Sequence, residues 1–184
     1  MIARLSADQD GPGRSVVVKR PGFAMRLLLA AVGRLKAGAE SDFATRYLDR
    51  VEKAARSVGL SAIEVIEIKD SRARDIGRRR LEEAIALANV IPDSAVTVVL
   101  DSRGENIESA AFAGEIRAWR DSGREVAAFV IGGQDGLGDE IKRRADFTLA
   151  FGAATWPHQF VRIMLLEQLY RATTILSGHP YHRE

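Results

Sequence analysis

Short apolar segments alternate with longer amphipathic ones along the chain from residue 25 onward. The apolar segments cover residues 25–33, 62–68, 95–101, 125–133 and 147–151. They are rich in Val, Ile, Leu and Ala, as expected of strands buried in a sheet. The segments between them have helical spacing and cover residues 41–57, 76–88, 107–120, 141–144 and 160–176. This alternation predicts an α/β fold with one parallel sheet and helices on both of its faces.

Local signals refine this prediction. Ser41 is predicted to cap the first helix, and Gly59 follows the end of that helix. The segment 62–68 alternates apolar and polar residues, which predicts a strand with one more exposed face. The strand over residues 95–101 is predicted to stop in the following Ser102-Arg103-Gly104.

Composition narrows the chemistry that is available to the chain. With 184 residues, of which 46% are hydrophobic and 28% charged, the chain is expected to form one globular domain with a real core. It contains no cysteine, which excludes disulfides, thiolate zinc sites, iron–sulfur ligation and a cysteine nucleophile.

Residues 1–24 differ from the rest of the chain. They are rich in Gly and Pro and contain one short apolar run, so we interpret them as a disordered leader that precedes a domain over residues 25–184. They carry four basic and two acidic residues and so supply the entire formal net charge of +2. The domain is then neutral, and the overall charge indicates no partner.

A secretory signal is the competing interpretation of the start of the chain. Its apolar stretch would be residues 27–32, which is too short, and Arg34 and Lys36 interrupt it before the supposed cleavage site. No segment reaches the roughly 20 apolar residues that span a bilayer. We therefore expect a cytosolic protein.

Unusual loops follow three of the predicted strands, and ligands of open parallel sheets lie beyond the carboxyl ends of strands. The loops cover residues 100–104, 131–138 and 152–158. The middle loop has the spacing GGxxGxG, which differs from a dinucleotide-binding GxGxxG and from a phosphate-binding loop. By itself this loop is more typical of a tight strand-to-helix turn than of a ligand site. Trp156-Pro157-His158, in contrast, is an unusual connection and indicates that something is held there.

All three histidines, His158, His179 and His182, lie in the last 27 residues. Their spacing does not match a metal-binding motif, so we expect no metal. The polar and aromatic tail 178–184 is interpreted as folding over an active site, since Tyr, His and Arg side chains contact bases and phosphates. The basic run Lys69–Arg80 is as typical of a solvated helix start as of a surface that faces RNA.

Together these features resemble the large-subunit ribosomal RNA methyltransferase H family, over essentially residues 25–184. The resemblance rests on MRLLLAAVG at the start, strand ends LD and IGG, and the loop Pro157-His158. It rests further on Val161-Arg162, on the sequence EQLYRA over 167–172, and on the terminal HPYHRE.

The resemblance implies a SPOUT fold with a trefoil knot, a known exception to the rule against knots. It also implies S-adenosylmethionine as the methyl donor and methylation of N3 of a pseudouridine in helix 69 of 23S rRNA, within assembled ribosomes. Members of the family form homodimers whose pocket is completed across the subunit interface. The apolar residues of the last helix cover more than one face, as such an interface would require.

Carried over by position, the resemblance places the cofactor on the three loops. The residues are Leu100, Asp101, Gly132, Gly133, Gly152, Ala153, Ala154, Thr155, Trp156 and Pro157. Two features depart from the family, which often has Pro-Glu in place of Gln134-Asp135 and Leu in place of Trp156. The role of Asp135, near the sulfonium or the target base, is therefore open.

The tail and the last helix supply the candidate catalytic residues. His182 or Tyr181 is expected to contact the base or relay its proton, and Arg162 and Arg183 to stabilise a phosphate or an oxyanion. Three alternatives stay open at this point. They are a SPOUT enzyme acting on tRNA, a non-catalytic ribosome-associated binder with the same fold, and a nucleotide-dependent dehydrogenase, which the missing GxGxxG disfavours.

Overall fold

The computed structural model describes residues 24–181. The predicted leader over residues 1–24 lies outside this range except for Ala24, and so do the predicted catalytic residues His182 and Arg183. The elements, in chain order, are β1 (Met25–Val32), α1 (Ala39–Ala55), a 3-10 turn (Arg56–Val58), β2 (Leu60–Ile68), α2 (Ile76–Val90), β3 (Val96–Glu105), α3 (Ser109–Asp121), β4 (Val126–Ile131), α4 (Asp139–Arg143), β5 (Phe147–Leu149) and α5 (His158–Ser177).

The five strands form one sheet in the order β2-β1-β4-β3-β5, and every neighbouring pair is parallel. Helices α1, α3 and α5 pack on one face and α2 and α4 on the other, so the sheet lies between two apolar layers. Strands β1 and β4 are buried along almost their whole length. The predicted α/β architecture with helices on both faces is confirmed.

Edge strand β2 is more exposed than the central strands, but the prediction that one of its faces is the more exposed one was wrong. Val65 is 37% exposed although it lies on the same face as Ile63, which is buried against the layer that contains α1 and α5. Glu64, on the opposite face, is exposed as well. The edge position explains this exposure, because one side of β2 has no strand beside it within residues 24–181.

Two local predictions were wrong. Helix α1 begins at Ala39 after Gly38 and has no side-chain cap, so Ser41 lies inside its first turn. Glu40 and Asp42 in that turn offset the positive end of the helix dipole. The strand predicted to stop before Ser102 continues to Glu105.

Strand β3 continues because its last residue returns to β5. Leu149 pairs with both Leu100 and Glu105, and the N–H of Ala150 donates to the carbonyl oxygen of Glu105 at 2.9 Å. Gly104 makes the crossing possible, because a Cβ there would lie 2.6 Å from the carbonyl oxygen of Thr148. The end of β3 therefore curls closely around β5. The trefoil knot stays a prediction.

Candidate functional site

A cleft of about 620 Å³ opens at the carboxyl ends of β3, β4 and β5. Three segments form its walls, residues 100–102 near the end of β3 and the turns that follow β4 and β5, at the edge of the sheet where the topology predicts a ligand site. Nine of the residues predicted to hold a cofactor line it: Leu100, Asp101, Gly132, Gly133, Gly152, Ala154, Thr155, Trp156 and Pro157. Ala153 lies in the same turn but does not line the cleft. The structure thus brings the three predicted loops together.

The turn after β4 needs glycine at specific positions. A Cβ on Gly132 would lie 2.8 Å from the carbonyl carbon of Gly136 and 2.9 Å from the backbone nitrogen of Leu137, so the chain folds back on itself there. Gly136 has φ +80, and its N–H donates to the carbonyl oxygen of Gly133 at 3.0 Å. The result is a tight turn whose backbone, rather than its side chains, faces the cleft.

Asp135 belongs to this turn but points away from the cleft. Its Oδ2 lies 2.7 Å from Nε of Arg79 on α2, and its carbonyl oxygen accepts a hydrogen bond from Arg80 at 2.6 Å. The Arg79 guanidinium lowers the pKa of Asp135. Part of the basic run therefore anchors the glycine turn, a role that the sequence did not indicate.

Asp101 lines the cleft from the end of β3 and is held by two cations. Its Oδ2 lies 2.8 Å from Nζ of Lys142 on α4, and its Oδ1 accepts from the side chain of Arg103 at 3.2 Å. The hydrogen bonds from Arg103 and Lys142 hold the pKa of the Asp101 carboxyl well below its usual range. Asp101 is thus a fixed negative charge at the edge of the cleft.

Trp156 closes the third turn. Its indole N–H donates to the carbonyl oxygen of Phe151 at 3.0 Å, while 47% of the residue stays exposed beside the cleft. An indole with its polar end satisfied and its ring accessible can form an apolar wall for a ligand.

His158, the first residue of α5, also lines the cleft. Nε2 of His158 and Oδ1 of Asp70 both lie near Gly33, at 3.4 and 3.3 Å from the position that a Cβ there would take. These two side chains form no hydrogen bond or ion pair with each other. No role was predicted for His158, although Pro157-His158 was one of the motifs behind the family resemblance. No sequence pattern pointed to Asp70, because its position near Gly33 depends on the packing of β2 against β1.

Arg162, one turn further along α5, is only 2% exposed. Its guanidinium pairs with the carboxylate of Glu67 on β2 and donates to the carbonyl oxygen of Gly33 at 2.9 Å. Its Nε has no hydrogen-bond partner within the described residues. A guanidinium that is buried and already hydrogen-bonded is not placed to contact an RNA phosphate. The position of Arg162 therefore does not fit the phosphate contact predicted for it.

Tyr181 packs on α5 and does not line the cleft of its own chain. Its ring centre lies 4.8 Å from that of Tyr170, and Arg171 stacks over it at 5.1 Å. Its hydroxyl donates to Oε1 of Glu167 at 3.4 Å, and burial raises the pKa of the Tyr181 phenol. The last described residues therefore lie on the outer face of the α1–α5 layer.

Residues 24–181 contain neither a candidate metal site nor a helix that could span a membrane. No group of three or more His, Cys, Asp or Glu side chains there could hold a metal ion. In the same range, no helix has the length and apolar character needed to cross a bilayer.

The chain has a parallel α/β sheet with a cleft at the carboxyl ends of its strands. This arrangement is typical of α/β proteins that bind small ligands. Comparison with known proteins identifies the family. A family model described as "Predicted SPOUT methyltransferase" matches residues 25–182, and the chain belongs to this SPOUT methyltransferase family.

Two curated relatives are similar over nearly their whole length. The ribosomal RNA large subunit methyltransferase H of Bradyrhizobium sp. strain ORS 278 is 55% identical over 159 residues, which cover 86% of this chain and 98% of the relative. The protein of the same name from Rhodopseudomonas palustris strain BisB18 is 55% identical, with 86% and 99% covered. A probable methyltransferase structure from Bordetella pertussis Tohama I has a TM-score of 0.45 and 14% identity, covering 82% of this chain and 95% of that one.

Proposed function

We propose that this chain methylates N3 of a pseudouridine in helix 69 of 23S rRNA, with S-adenosylmethionine as the methyl donor. The observation that carries the proposal is the 55% identity, over 98% of its length, to a relative named ribosomal RNA large subunit methyltransferase H. The size and lining of the cleft support S-adenosylmethionine as the donor. The choice of N3 as the methylated atom follows from the family resemblance.

The cleft suits S-adenosylmethionine in size and chemistry. About 620 Å³ is within the range of small-molecule sites. Gly132, Gly133 and Gly152 leave backbone N–H and C=O groups accessible to the adenine and methionine parts, and Leu100 and Trp156 supply apolar walls. When bound, S-adenosylmethionine supplies an electrophilic methyl group on a sulfonium.

The target atom explains why so little catalytic machinery is needed. N3 of a uracil-like ring is weakly acidic, and its proton must leave as the methyl group arrives. Methylation of a pyrimidine at C5 ordinarily needs a cysteine nucleophile, which this chain lacks. Methylation at N3 needs no covalent adduct, so the protein has to position an extruded base and accept a proton.

We propose that two copies of the chain share each site. Tyr181 lies against Tyr170, twelve residues along α5 from His158, which is about 18 Å at 1.5 Å per residue. The tail of a second copy would supply the base contact or proton relay through His182 or Tyr181, and Arg183 would stabilise a phosphate or an oxyanion. We propose that Arg162 holds the ends of β1 and β2 together and does not contact a phosphate directly.

The charge balance supports an assembled ribosomal substrate over free RNA. Residues 25–184 contain 23 basic and 23 acidic residues, so this part of the chain lacks the net positive charge typical of free-RNA binders. We therefore propose that the enzyme recognises a composite surface of the ribosome, and that isolated 23S rRNA is a poor substrate.

Labelled donor incubated with the full chain and unmodified ribosomes tests the proposal. Mass spectrometry of the rRNA nucleosides is expected to find N3-methylpseudouridine in 23S rRNA, with far less product from naked 23S rRNA. Label found in tRNA and not in 23S rRNA would contradict the proposed substrate. Donor binding without any transfer would identify a non-catalytic binder, and absence of donor binding would overturn the proposal as a whole.

A further inference from the structure

Two titratable side chains line the cleft within residues 24–181, those of Asp101 and His158. Asp101 is engaged by Lys142 and Arg103, which keep its carboxylate ionised and make it a weak proton acceptor. The imidazole of His158 is in no hydrogen bond with the described residues. Among the side chains that line the cleft in this part of the chain, the imidazole of His158 is therefore the one left free to accept a proton from a ligand.

His158 is fixed by the convergence of three elements. Gly33 follows β1, and its N–H donates to the carbonyl oxygen of Ile68 at the end of β2 at 2.8 Å. Its own carbonyl oxygen accepts from Arg162, one turn beyond His158 on α5. The backbone of Gly33 therefore ties the start of α5 to the ends of β1 and β2, and the His158 ring lies on this junction at the wall of the cleft.

Asp70 supplies a negative charge beside the ring. Its Oδ1 and Nε2 of His158 flank the same point above Gly33, at 3.3 and 3.4 Å. Gly33 has φ +83 and lacks a Cβ, so no side chain from residue 33 separates the two groups.

We propose that His158 is the catalytic residue that accepts the N3 proton, with Asp70 as the positioning residue that stabilises the resulting imidazolium. This inference rests on the function proposed above. In the step, the N3–H bond breaks and its proton moves to Nε2 of His158, while the nitrogen electron pair forms the bond to the methyl carbon. The carbon–sulfur bond breaks with its electron pair left on sulfur, so the sulfonium charge is lost and the imidazole gains one.

Other charged groups face this junction from the neighbouring elements. Glu67 of β2 and Arg162 of α5 neutralise each other as an ion pair. Glu83 of α2 has its Oε2 3.1 Å from a Cβ position on Gly133, and burial raises its pKa. Asp101, within β3, is paired with Lys142 of α4.

Single-turnover methylation of unmodified ribosomes by the full chain, with saturating donor, tests this assignment. His158→Gln and His158→Ala are expected to lower the rate by about 100-fold or more, the usual contribution of a proton-accepting group. Asp70→Asn is expected to lower it about tenfold. The matched control is Asp121→Asn, which removes an exposed carboxylate at the end of α3. Calorimetry is expected to find donor Kd values within about threefold of the wild type for all four variants.

The pH dependence separates a proton acceptor from a structural residue. The pH–rate profile of the wild type is expected to differ from that of His158→Gln, because the variant lacks the proton-accepting group. Added imidazole is expected to restore part of the rate of His158→Ala.

Three outcomes would overturn the assignment while the proposed function stands. They are a His158→Gln rate within about threefold of the wild type, an unchanged pH profile in that variant, or a loss that appears as weaker donor binding. A wild-type protein that methylates no ribosomal RNA would instead overturn the proposed function.

Discussion

Arg79 on α2 and Asp135 in the turn after β4 form an ion pair, with 2.7 Å between Nε and Oδ2. Each side chain is 18% exposed, and the pair links two segments 56 residues apart in the chain. Arg80 adds a hydrogen bond to the Asp135 carbonyl oxygen. Through these contacts, α2 fixes the position of a turn whose backbone forms one wall of the cleft.

Asp135→Asn is expected to weaken donor binding about tenfold, because the loosened turn no longer presents its backbone in one geometry. Isothermal titration with S-adenosylmethionine measures this. Asp93→Asn, which removes an exposed carboxylate paired with Arg144, serves as the matched control and is expected to bind like the wild type. Equal affinities for Asp135→Asn and the control would contradict the anchoring role of the pair.

Gly132→Ala is expected to reduce donor affinity by about 100-fold while the protein still folds. The added Cβ would lie 2.8 Å from the Gly136 carbonyl carbon, so the turn must open. Gly114→Ala in α3 is the control, because nothing lies within 4 Å of its Cβ position. That change is expected to raise the free energy of unfolding by about 0.5 to 1 kcal/mol. Donor binding by Gly132→Ala at wild-type strength would exclude a tight turn as part of the site.

The sequence predicted the strands and the turns after β4 and β5 because those features are local. Each strand contains a short apolar run, and each of these two turns follows its run at once, so neighbouring residues carry both signals. The third predicted loop, over residues 100–104, is instead part of β3. Placement of the turns in one cleft followed from a general property of parallel sheets, that the carboxyl ends of the strands lie at one edge.

The contacts that shape the cleft were not predictable in the same way. The pairs Arg79–Asp135 and Arg162–Glu67 join residues 56 and 95 positions apart. The extension of β3 depends on how Glu105 meets Leu149, which no local pattern in β3 encodes. Such contacts depend on the strand order, which runs β2-β1-β4-β3-β5 and cannot be read from one segment.

The double variant His182→Ala, Arg183→Ala is expected to lower methyl transfer by about 100-fold or more and to leave the donor Kd unchanged. If the tail completes the cleft of a second copy, mixing this variant with Gly132→Ala restores part of the activity, since one mixed site has both an intact tail and an intact cleft. Ribosome methylation by each protein alone and by the mixture measures this. A mixture no more active than its components would contradict a shared site.

Arg162→Met is expected to lower the free energy of unfolding by about 3 kcal/mol, because it leaves the Gly33 carbonyl oxygen and the Glu67 carboxylate without their donor. Urea unfolding without donor measures this. Arg26→Met, at an exposed ion pair with Glu64, is expected to cost less than about 1 kcal/mol. Similar losses for the two variants would contradict the view that Arg162 holds the junction of α5 with β1 and β2.

The ion pairs of Asp101 predict an acid dependence of stability. Hydrogen bonds from Arg103 and Lys142 hold the pKa of Asp101 well below its ordinary value of 3.8, so the folded carboxylate binds a proton less tightly than the unfolded one. The stabilisation is therefore complete above the unfolded pKa and is lost as pH falls toward the folded pKa. We expect the wild type to exceed Asp101→Asn in free energy of unfolding by about 1 to 2 kcal/mol between pH 7 and 5, and by progressively less below about pH 4. Urea unfolding across this range without donor measures the difference, and Asp93→Asn controls for the loss of an exposed carboxylate. A difference that grew on acidification would have the wrong sign for a carboxylate stabilised by Lys142 and Arg103.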